Sequence, residues 1–200
     1  MIERYPFHER ICHWFTGFTY LYCLATGLAF YSPYLFWLAI ILGGGPTSRF
    51  WHPMLGLVFV VAATWMHQIW RGDVRMTAAD KEWLDKAKYY VQNEDEKVPA
   101  QGKFNAGQKT FYWAMFYGAF LLLLSGAFMW FPENTPRMLR PWMIIIHEGA
   151  ALITIGAFII HVYMGVFMDP GSVDAMVHGS VSKDWAKAHH RLWFHQKTGE

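Results

Sequence analysis

The chain has 200 residues, of which 54% are hydrophobic, 18% aromatic and 16% charged, with a formal net charge of +2. Because soluble domains carry about 25% charged residues, this composition argues against a water-soluble protein and favours a single membrane domain over residues 1–200. The two cysteines, Cys12 and Cys23, form no CxxC or CxxCH pattern, which excludes a CxxC zinc motif and covalent c-type haem attachment.

Four stretches are long and apolar enough to cross roughly 30 Å of hydrocarbon, which takes about 20 residues of helix. They run from about residue 14 to 36, 52 to 70, 110 to 131 and 142 to 167. Backbone polar groups must be hydrogen-bonded within lipid, so we expect each stretch to be a helix. The sequence therefore predicts an all-α fold, a membrane four-helix bundle, with a connector over 71–109 and a tail over 168–200.

Basic residues are distributed unequally between the connecting segments. Fourteen of the 17 Lys and Arg residues fall in the two tails and the 71–109 connector, and three fall in the other two loops. The positive-inside rule places the basic segments in the cytoplasm. We therefore predict a multi-pass protein of the inner (cytoplasmic) membrane with both termini cytoplasmic. Within the connector, apolar spacing over 77–91 predicts a surface helix.

Five of the ten histidines lie at or inside the predicted spans, namely His13, His52, His67, His147 and His161. An ionisable residue at membrane depth is costly and indicates a functional role, although a lone membrane histidine is equally well explained by packing. His147 and His161 are 14 positions apart, which puts them on nearly one helix face and about 21 Å apart along it. The helix directions place His52 at the depth of His147, and His13 at the depth of His161.

Two imidazoles from facing helices are a standard ligand set for haem iron. We predict an outer haem held by His52 and His147 and an inner haem held by His13 and His161, with His67 as the alternative inner ligand. A small residue follows each of the four by one turn: Gly17, Gly56, Ala151 and Gly165. These residues leave room for a porphyrin, although they also let membrane helices pack closely. Zinc fits less well, because two ligands at one level are too few.

Two polar features lie outside the spans. The tail carries four further histidines, which we interpret as surface residues: His178, His189, His190 and His195. Lys109 falls in the first turn of the third predicted helix, where a base is unfavourable. Contact with a phosphate or a cofactor headgroup is one explanation for it.

Several stretches carry a family resemblance: RICHW at 10–14, HPMLG at 52–56, KFNAGQK at 103–109 and IIHEGAALITIGAFIIHVYMGVF at 145–167. They resemble the membrane cytochrome b (gamma) subunit of respiratory formate dehydrogenase, and the tail VSKDWAKAHHRLWF is similar as well. The resemblance covers nearly the whole chain, and NAGQK is its most specific element. It implies a di-haem cytochrome b with two haem b groups bound by the same four histidines.

The resemblance also implies a quinone site near the inner haem, formed by Asn105, Gly107, Gln108 and His161. Amide groups can donate hydrogen bonds to quinone carbonyls, and the quinone would be menaquinone or ubiquinone. From the residues alone, NAGQ is also explained as a cap of the third helix.

The implied partners are an iron–sulfur (beta) subunit and a molybdenum- or tungsten-containing catalytic (alpha) subunit, and a higher oligomer is compatible with this assembly. This sequence has no cluster ligands and no molybdopterin motif, so we expect no formate oxidation site in it. We expect contact with membrane lipid and none with nucleic acid.

The expected function is electron transfer from a periplasmic-side iron–sulfur partner through two haems to a quinone reduced at the cytoplasmic side. Two alternatives stand beside it. One is a sister cytochrome that serves another enzyme, such as a nickel–iron hydrogenase. The other is a non-redox membrane anchor whose histidines only pack or bind a metal. A spectrum of the reduced protein discriminates this anchor from a cytochrome.

Overall fold

Helices form most of the chain in the computed structural model, which describes residues 1–92 and 94–200. In chain order they are α1 (Phe7–Tyr31), α2 (Trp37–Ile41), α3 (Gly45–Trp70), α4 (Ala78–Asp85), α5 (Ala87–Val91), α6 (Ala106–Trp130), α7 (Arg140–Tyr163), α8 (Pro170–His178), α9 (Lys183–His189) and α10 (Arg191–Thr198). Short 3₁₀ turns lie at Pro33–Leu35, Asp95–Lys97 and Pro132–Asn134, and a π-helical turn, Met164–Met168, extends α7. The predicted all-α class is confirmed.

All four long helices begin earlier than the apolar pattern indicates, and α1 and α3 do so by about seven residues. Helix α1 starts at Phe7, directly after Pro6, and has Glu9 in its first turn. Helix α3 starts at Gly45 and has Pro46 as its second residue. Proline and acidic residues are favoured in a first helical turn, where backbone N–H groups lack partners. Polar residues thus begin both helices before the apolar stretch is reached.

Three helices are long and apolar enough to cross a membrane: Gly45–Trp70, Ala106–Trp130 and Arg140–Met168. Their surfaces are mostly apolar and exposed, as at Leu152 and Ile153, which are 71% and 64% accessible. Such faces are expected where lipid, rather than protein, is the neighbour. Helix α1 has 25 residues but is not among these three in the described part of the chain.

Hydroxyl groups account for the weaker apolar character of α1. Thr16, Thr19 and Thr26 are buried, and each bonds to a carbonyl of its own helix, as Thr16 Oγ1 does to Cys12 O at 2.7 Å. The outer face of the same helix carries exposed Phe15 and Phe18. A hydroxyl satisfied by the preceding turn is tolerated inside a helix pack. The hydroxyls of these three threonines therefore face inward.

Contacts divide the chain into two compact units, which we describe separately. The bundle unit comprises Ile11–Met66 and Ala114–Gly156, and in it segments of the four long helices pack together. The α1 segment contacts α3 where the Tyr20 and Phe59 rings lie 5.6 Å apart. The α6 segment approaches α7 closely, because a Cβ at Gly118 would stand 2.5 Å from Thr154 Cγ2. Small residues at such crossings let membrane helices pack tightly.

The connector unit comprises Met1–Arg10, His67–Trp113 and Ala157–Glu200. In it a two-residue strand β1 (Ile2–Glu3) pairs antiparallel with β2 (Ser180–Val181), with Ile2 opposite Val181. Gly179 has a φ of +89°, which suits glycine, and its carbonyl accepts a 2.8 Å bond from Arg4 N. The N-terminus is thereby tied to the tail.

The connector itself is folded. The predicted surface helix over 77–91 is divided at Lys86 into α4 and α5. A capping box starts α4, because the Thr77 side chain accepts from Asp80 N while the Asp80 carboxylate accepts from Thr77 N. Buried Trp83 then packs with Val98 and Ala106. One face of this segment is thus a protein contact rather than a surface.

Candidate haem site

In the bundle unit two of the predicted ligands, His52 of α3 and His147 of α7, lie opposite each other. Their ring centroids are 6.3 Å apart, with 56° between the ring planes. The Phe30 ring lies edge-on to His52 at 5.5 Å. Both imidazoles are thus within reach of one group held between them.

Each of these two rings is held at its Nδ1 atom by a hydroxyl from another helix. Thr26 Oγ1 of α1 lies 2.8 Å from His52 Nδ1, and Ser125 Oγ of α6 lies 3.0 Å from His147 Nδ1. Both hydroxyl residues are fully buried. Each of the four long helices therefore contributes at least one residue to this site.

Thr26 and Ser125 are functional candidates that sequence reasoning missed. Buried Thr and Ser are common in membrane helices, where their hydroxyls bond to the preceding turn. The only local signal is a hydroxyl residue followed by glycine, Thr26–Gly27 and Ser125–Gly126, at a predicted depth that matches the outer histidines.

The other predicted ligands fall in different units. His13 belongs to the bundle unit, where its ring lies edge-on to Trp14 at 5.3 Å. His161 belongs to the connector unit and is stacked on Phe111 at 4.1 Å, with 4° between the rings. The assignment of these two to an inner haem stays a prediction.

His67, the alternative inner ligand, has a protein partner in the connector unit. Its Nδ1 lies 2.6 Å from the Tyr112 hydroxyl, and the two rings are stacked at 6.1 Å. The Trp113 ring lies 5.7 Å away. These contacts account for a histidine at the end of α3 by packing and hydrogen bonding.

The NAGQ stretch caps helix α6. Asn105 N donates to Gln108 Oε1 at 3.0 Å, and Gln108 N donates to Asn105 Oδ1 at 2.9 Å. The two amides thus satisfy two backbone groups that the first helical turn leaves open. Asn105 is only 3% accessible, whereas Gln108 is half-buried. A capping role therefore exists whether or not a quinone binds here.

Lys109 has a partner that the sequence analysis did not foresee. Its Nζ lies 2.9 Å from Asp80 Oδ2 and 3.0 Å from Oδ1, and both side chains are buried. Burial alone would raise the pKa of Asp80, but the bonds from Lys109 and Thr77 outweigh it and lower that pKa. The buried carboxylate thus explains a base in the first turn of α6.

The interpretation of His190 as a surface residue is wrong. His190 is fully buried in the connector unit: its Nδ1 lies 2.7 Å from Gly102 O, and its Nε2 lies 2.9 Å from Arg4 Nη2. Burial and the Arg4 charge lower its pKa well below the usual value. It therefore acts as a neutral hydrogen-bonding residue. The contact joins residues 186 positions apart, so no local pattern signals it.

A second buried cluster joins the start of α1 to the connector. Lys103 Nζ lies 2.7 Å from Glu9 Oε2, and Trp70 Nε1 donates to the same oxygen at 2.6 Å. Glu9 is 6% accessible. An isolated buried carboxylate would be costly, and here it is paired and hydrogen-bonded.

The comparisons with known proteins now decide the family. The model of the family described as prokaryotic cytochrome b561 matches residues 4–179. This chain belongs to the prokaryotic cytochrome b561 family. It is an all-α membrane cytochrome of the b type, as the sequence predicted.

Similar curated proteins carry formate dehydrogenase names. The cytochrome b556(Fdn) subunit of the nitrate-inducible formate dehydrogenase of Escherichia coli K12 is 33% identical over 199 residues, covering 98% of this chain and 91% of that one. The formate dehydrogenase cytochrome b556(fdo) subunit of the same strain is 33% identical over 210 residues, covering 100% and 95%. A formate dehydrogenase cytochrome b556 subunit of Haemophilus influenzae is 28% identical over 200 residues, covering 98% and 84%.

Membership of the cytochrome b561 family implies haem b, and the residues around His52 and His147 fit that group. His52 and His147, whose ring centroids are 6.3 Å apart, would hold the haem iron between them, since metal–nitrogen bonds are about 2 Å long. At Gly56, one turn after His52, a Cβ would meet nothing within 4 Å. The described residues contain no cluster of three or more His, Cys, Asp or Glu suited to a metal ion alone.

Proposed function

We propose that this chain is the di-haem cytochrome b subunit of a formate dehydrogenase. In this role it passes electrons from an iron–sulfur partner on the periplasmic side to a quinone, menaquinone or ubiquinone, reduced at the cytoplasmic side. The observation that carries the proposal is the facing pair His52 and His147, each anchored at Nδ1, in a member of the cytochrome b561 family. The names of its relatives, which are formate dehydrogenase subunits, support formate dehydrogenase as the enzyme that this chain serves.

The chain's own residues hold the outer redox centre through His52 and His147. Haem b, when bound, supplies a centre that takes up and releases one electron at a time. His52 and His147 would hold this group through their imidazoles, and Thr26 and Ser125 would fix the orientation of the two rings. Apolar helix faces would surround the site. Axial ligands, hydrogen bonds to them and burial are the levers by which a protein sets the reduction potential of haem iron.

We propose that a second haem is held by His13 and His161. Support comes from the sequence, in which these residues have matching predicted depths and each has a glycine one turn later. At both glycines, Gly17 and Gly165, a Cβ would meet nothing within 4 Å. Two redox centres near opposite leaflets would let an electron cross the membrane in steps, and moving one charge is worth about 2.3 kcal/mol per 100 mV.

The proposed quinone site comprises Asn105, Gly107, Gln108 and His161. In the connector unit His161 stacks on Phe111, which lies one turn after Gly107 on α6. This contact supports a common location for the four residues. Since Gln108 accepts a backbone bond through its oxygen, its amide N–H group is the one that could donate to a quinone carbonyl. The Asn105 side chain is buried and hydrogen-bonds to Tyr90 and to Gln108 N.

The proposed partners are an iron–sulfur (beta) subunit and a molybdenum- or tungsten-containing catalytic (alpha) subunit. The described residues hold no group of three or more acidic, His or Cys side chains that could bind a metal ion. We propose that formate is oxidised in the alpha subunit. We propose that the complex lies in the inner membrane with both termini of this chain in the cytoplasm, as the distribution of basic residues predicts.

One preparation tests these statements. The complex is purified through a tag on this chain, its haem-to-protein ratio is measured, and the copurifying subunits are identified by mass spectrometry. We expect two haems b per chain, together with iron–sulfur and molybdopterin subunits, and haem reduction on addition of formate. Nickel–iron hydrogenase subunits in their place would identify the chain as a sister cytochrome. Absence of a b-type spectrum would refute the haem function.

A further inference from the structure

The two facing histidines are supported in the same way by two other helices. The hydroxyl of Thr26 lies 2.8 Å from His52 Nδ1, and the hydroxyl of Ser125 lies 3.0 Å from His147 Nδ1. Both residues are 0% accessible, so water does not compete for these bonds. A hydroxyl at Nδ1 thus occurs twice, once on α1 and once on α6, and on α6 the Leu122 backbone is a second hydrogen-bond partner of His147.

The position of the single hydroxyl proton decides which imidazole nitrogen carries hydrogen. Thr26 Oγ1 lies 2.8 Å from Tyr22 O, and Ser125 Oγ lies 2.6 Å from Leu121 O. A carbonyl oxygen can only accept, so each hydroxyl donates its proton there. The hydroxyl oxygen must then accept from the histidine. Each neutral ring therefore carries its proton on Nδ1 and keeps its lone pair on Nε2.

The glycine after each hydroxyl residue admits the ring edge. A Cβ at Gly27 would stand 3.4 Å from His52 Cε1, and a Cβ at Gly126 would stand 3.3 Å from His147 Cε1. The ring edge therefore packs closely beside the helix backbone while Nδ1 meets the hydroxyl. Rotation of either ring would break the hydrogen bond or press the ring against the helix.

We propose that Thr26–Gly27 and Ser125–Gly126 are two equivalent positioning elements that fix the tautomer and ring plane of His52 and His147, so that Nε2 of each faces the iron. This inference rests on the proposed haem function. An acceptor on Nδ1–H makes an imidazole a stronger donor to metal, and a stronger donor favours ferric over ferrous haem. Loss of a hydroxyl should therefore shift the midpoint potential of this haem to more positive values.

The test is a redox titration of the purified complex, followed by the optical b-band and by electron paramagnetic resonance of the ferric haems. Thr26→Val and Ser125→Ala remove the hydroxyls, whereas Thr26→Ser and Ser125→Thr keep them. We expect the first two to raise the midpoint and change the ferric g values of one and the same haem. The second two should stay near the wild type, and the other haem should be unchanged in all four.

Thr19→Val provides the matched control. Thr19 is buried on the same helix, and its hydroxyl bonds to Phe15 O and Thr16 O of that helix, so its loss should leave the midpoint unchanged. Selective loss of one haem in Thr26→Val and Ser125→Ala, with retention in the hydroxyl variants, would also support the proposal. If Thr26→Val and Ser125→Ala kept their full haem content and the wild-type midpoint potential, the positioning proposal would be wrong. It would also be wrong if Thr26→Ser and Ser125→Thr shifted the midpoint as much as the variants without a hydroxyl. Either result would leave the haem function intact. A wild type without haem b would instead refute the proposed function itself.

Discussion

The bundle unit and the connector unit bury polar groups of different kinds. In the bundle unit the most buried polar residues carry hydroxyls, as Thr26, Ser48 and Ser125 do at 0% accessibility and Thr154 does at 1%. In the connector unit they include charged residues, such as Asp80 at 1%. Every salt bridge found among residues 1–92 and 94–200 joins two residues of the connector unit.

The two units differ in their buried polar groups because the cost of burying a charge differs between their surroundings. Within lipid a charged side chain is costly, but a hydroxyl can donate to its own helix and still accept one further bond. The bundle unit therefore positions its histidines with neutral hydrogen bonds. The connector unit lies outside most of the apolar stretches, so it can join distant segments by ion pairs such as Glu9 with Lys103. Disturbing the two units should therefore produce different failures.

The largest effect is expected from His147→Ala in the bundle unit. This change removes one axial ligand of the proposed outer haem, and His52 alone would not retain it. The haem b content of the purified chain should then fall by about half, because the proposed second haem, at His13 and His161, keeps both of its ligands. The measurement is haem per chain, determined from the pyridine haemochrome spectrum.

His67→Ala is the control for that experiment. Its ring is accounted for by Tyr112 and Trp113, so both haems should remain. If His147→Ala kept both haems at full occupancy, the His52–His147 assignment would be wrong. Loss of a haem in His67→Ala would make His67, rather than His13, the inner ligand.

In the connector unit the largest expected effect comes from Lys109→Met. It leaves the Asp80 carboxylate buried without its cation, since the two side chains are 9% and 2% accessible. Removing one partner of a buried pair costs about 3–5 kcal/mol. The haem spectrum should be retained while protease cleavage within residues 71–109 becomes faster, as followed by mass spectrometry.

Lys86→Met is the matched control, because its pair with Glu82 is 43% and 58% accessible. An exposed pair is worth about 0–1 kcal/mol, so cleavage should hardly change. Adding Asp80→Asn to Lys109→Met should restore much of the protection, because no buried charge then lacks a partner. Equal cleavage rates in Lys109→Met and Lys86→Met would show that the buried pair does not stabilise the connector.

The sequence predicted best what depends on helix periodicity. The depth of His52 and His147 follows from helix direction and rise, and the structure brings these two residues together. The sequence was least informative about features that depend on contacts between distant segments. The glycine that follows Thr26 also follows Thr16, so it does not by itself single out Thr26. His190 is buried through Arg4, which lies 186 positions away. Burial of Asp80 against Lys109 likewise required the folded connector.

An intermediate effect is expected where α6 and α7 approach each other in the bundle unit. In Gly118→Ala the new Cβ would stand 2.5 Å from Thr154 Cγ2, so either the Thr154 side chain or the helix backbones must shift. Overpacking of this kind costs about 1–3 kcal/mol. The complex should lose its haem spectrum at a lower temperature. Gly149→Ala is the control, because a Cβ there meets nothing within 4 Å, and it should lose its haem spectrum at the wild-type temperature. If both variants lowered this temperature equally, the close helix contact at Gly118 would be contradicted.

The smallest effect concerns His189 and His190, adjacent residues of the connector unit with opposite pKa shifts. The hydrogen bond to Asp95 raises the pKa of His189 above 6.5, so this pair stabilises the fold below pH 6.5 and stops doing so as pH rises through the raised pKa. Burial lowers the pKa of His190, so its contribution is present above pH 6.5 and declines as pH falls below that value.

His189→Gln should therefore destabilise the tail by about 1 kcal/mol at acidic pH and have almost no effect at alkaline pH. Amide hydrogen exchange over α9 (Lys183–His189), compared with the wild type at each pH and corrected for the intrinsic exchange rate, measures this difference. The variant should gain protection as pH rises, because only the His190 dependence remains. A difference between variant and wild type that stayed constant with pH would mean that the contact with Asp95 involves the uncharged imidazole. The ionic character of the connector unit would then rest on its lysine pairs alone.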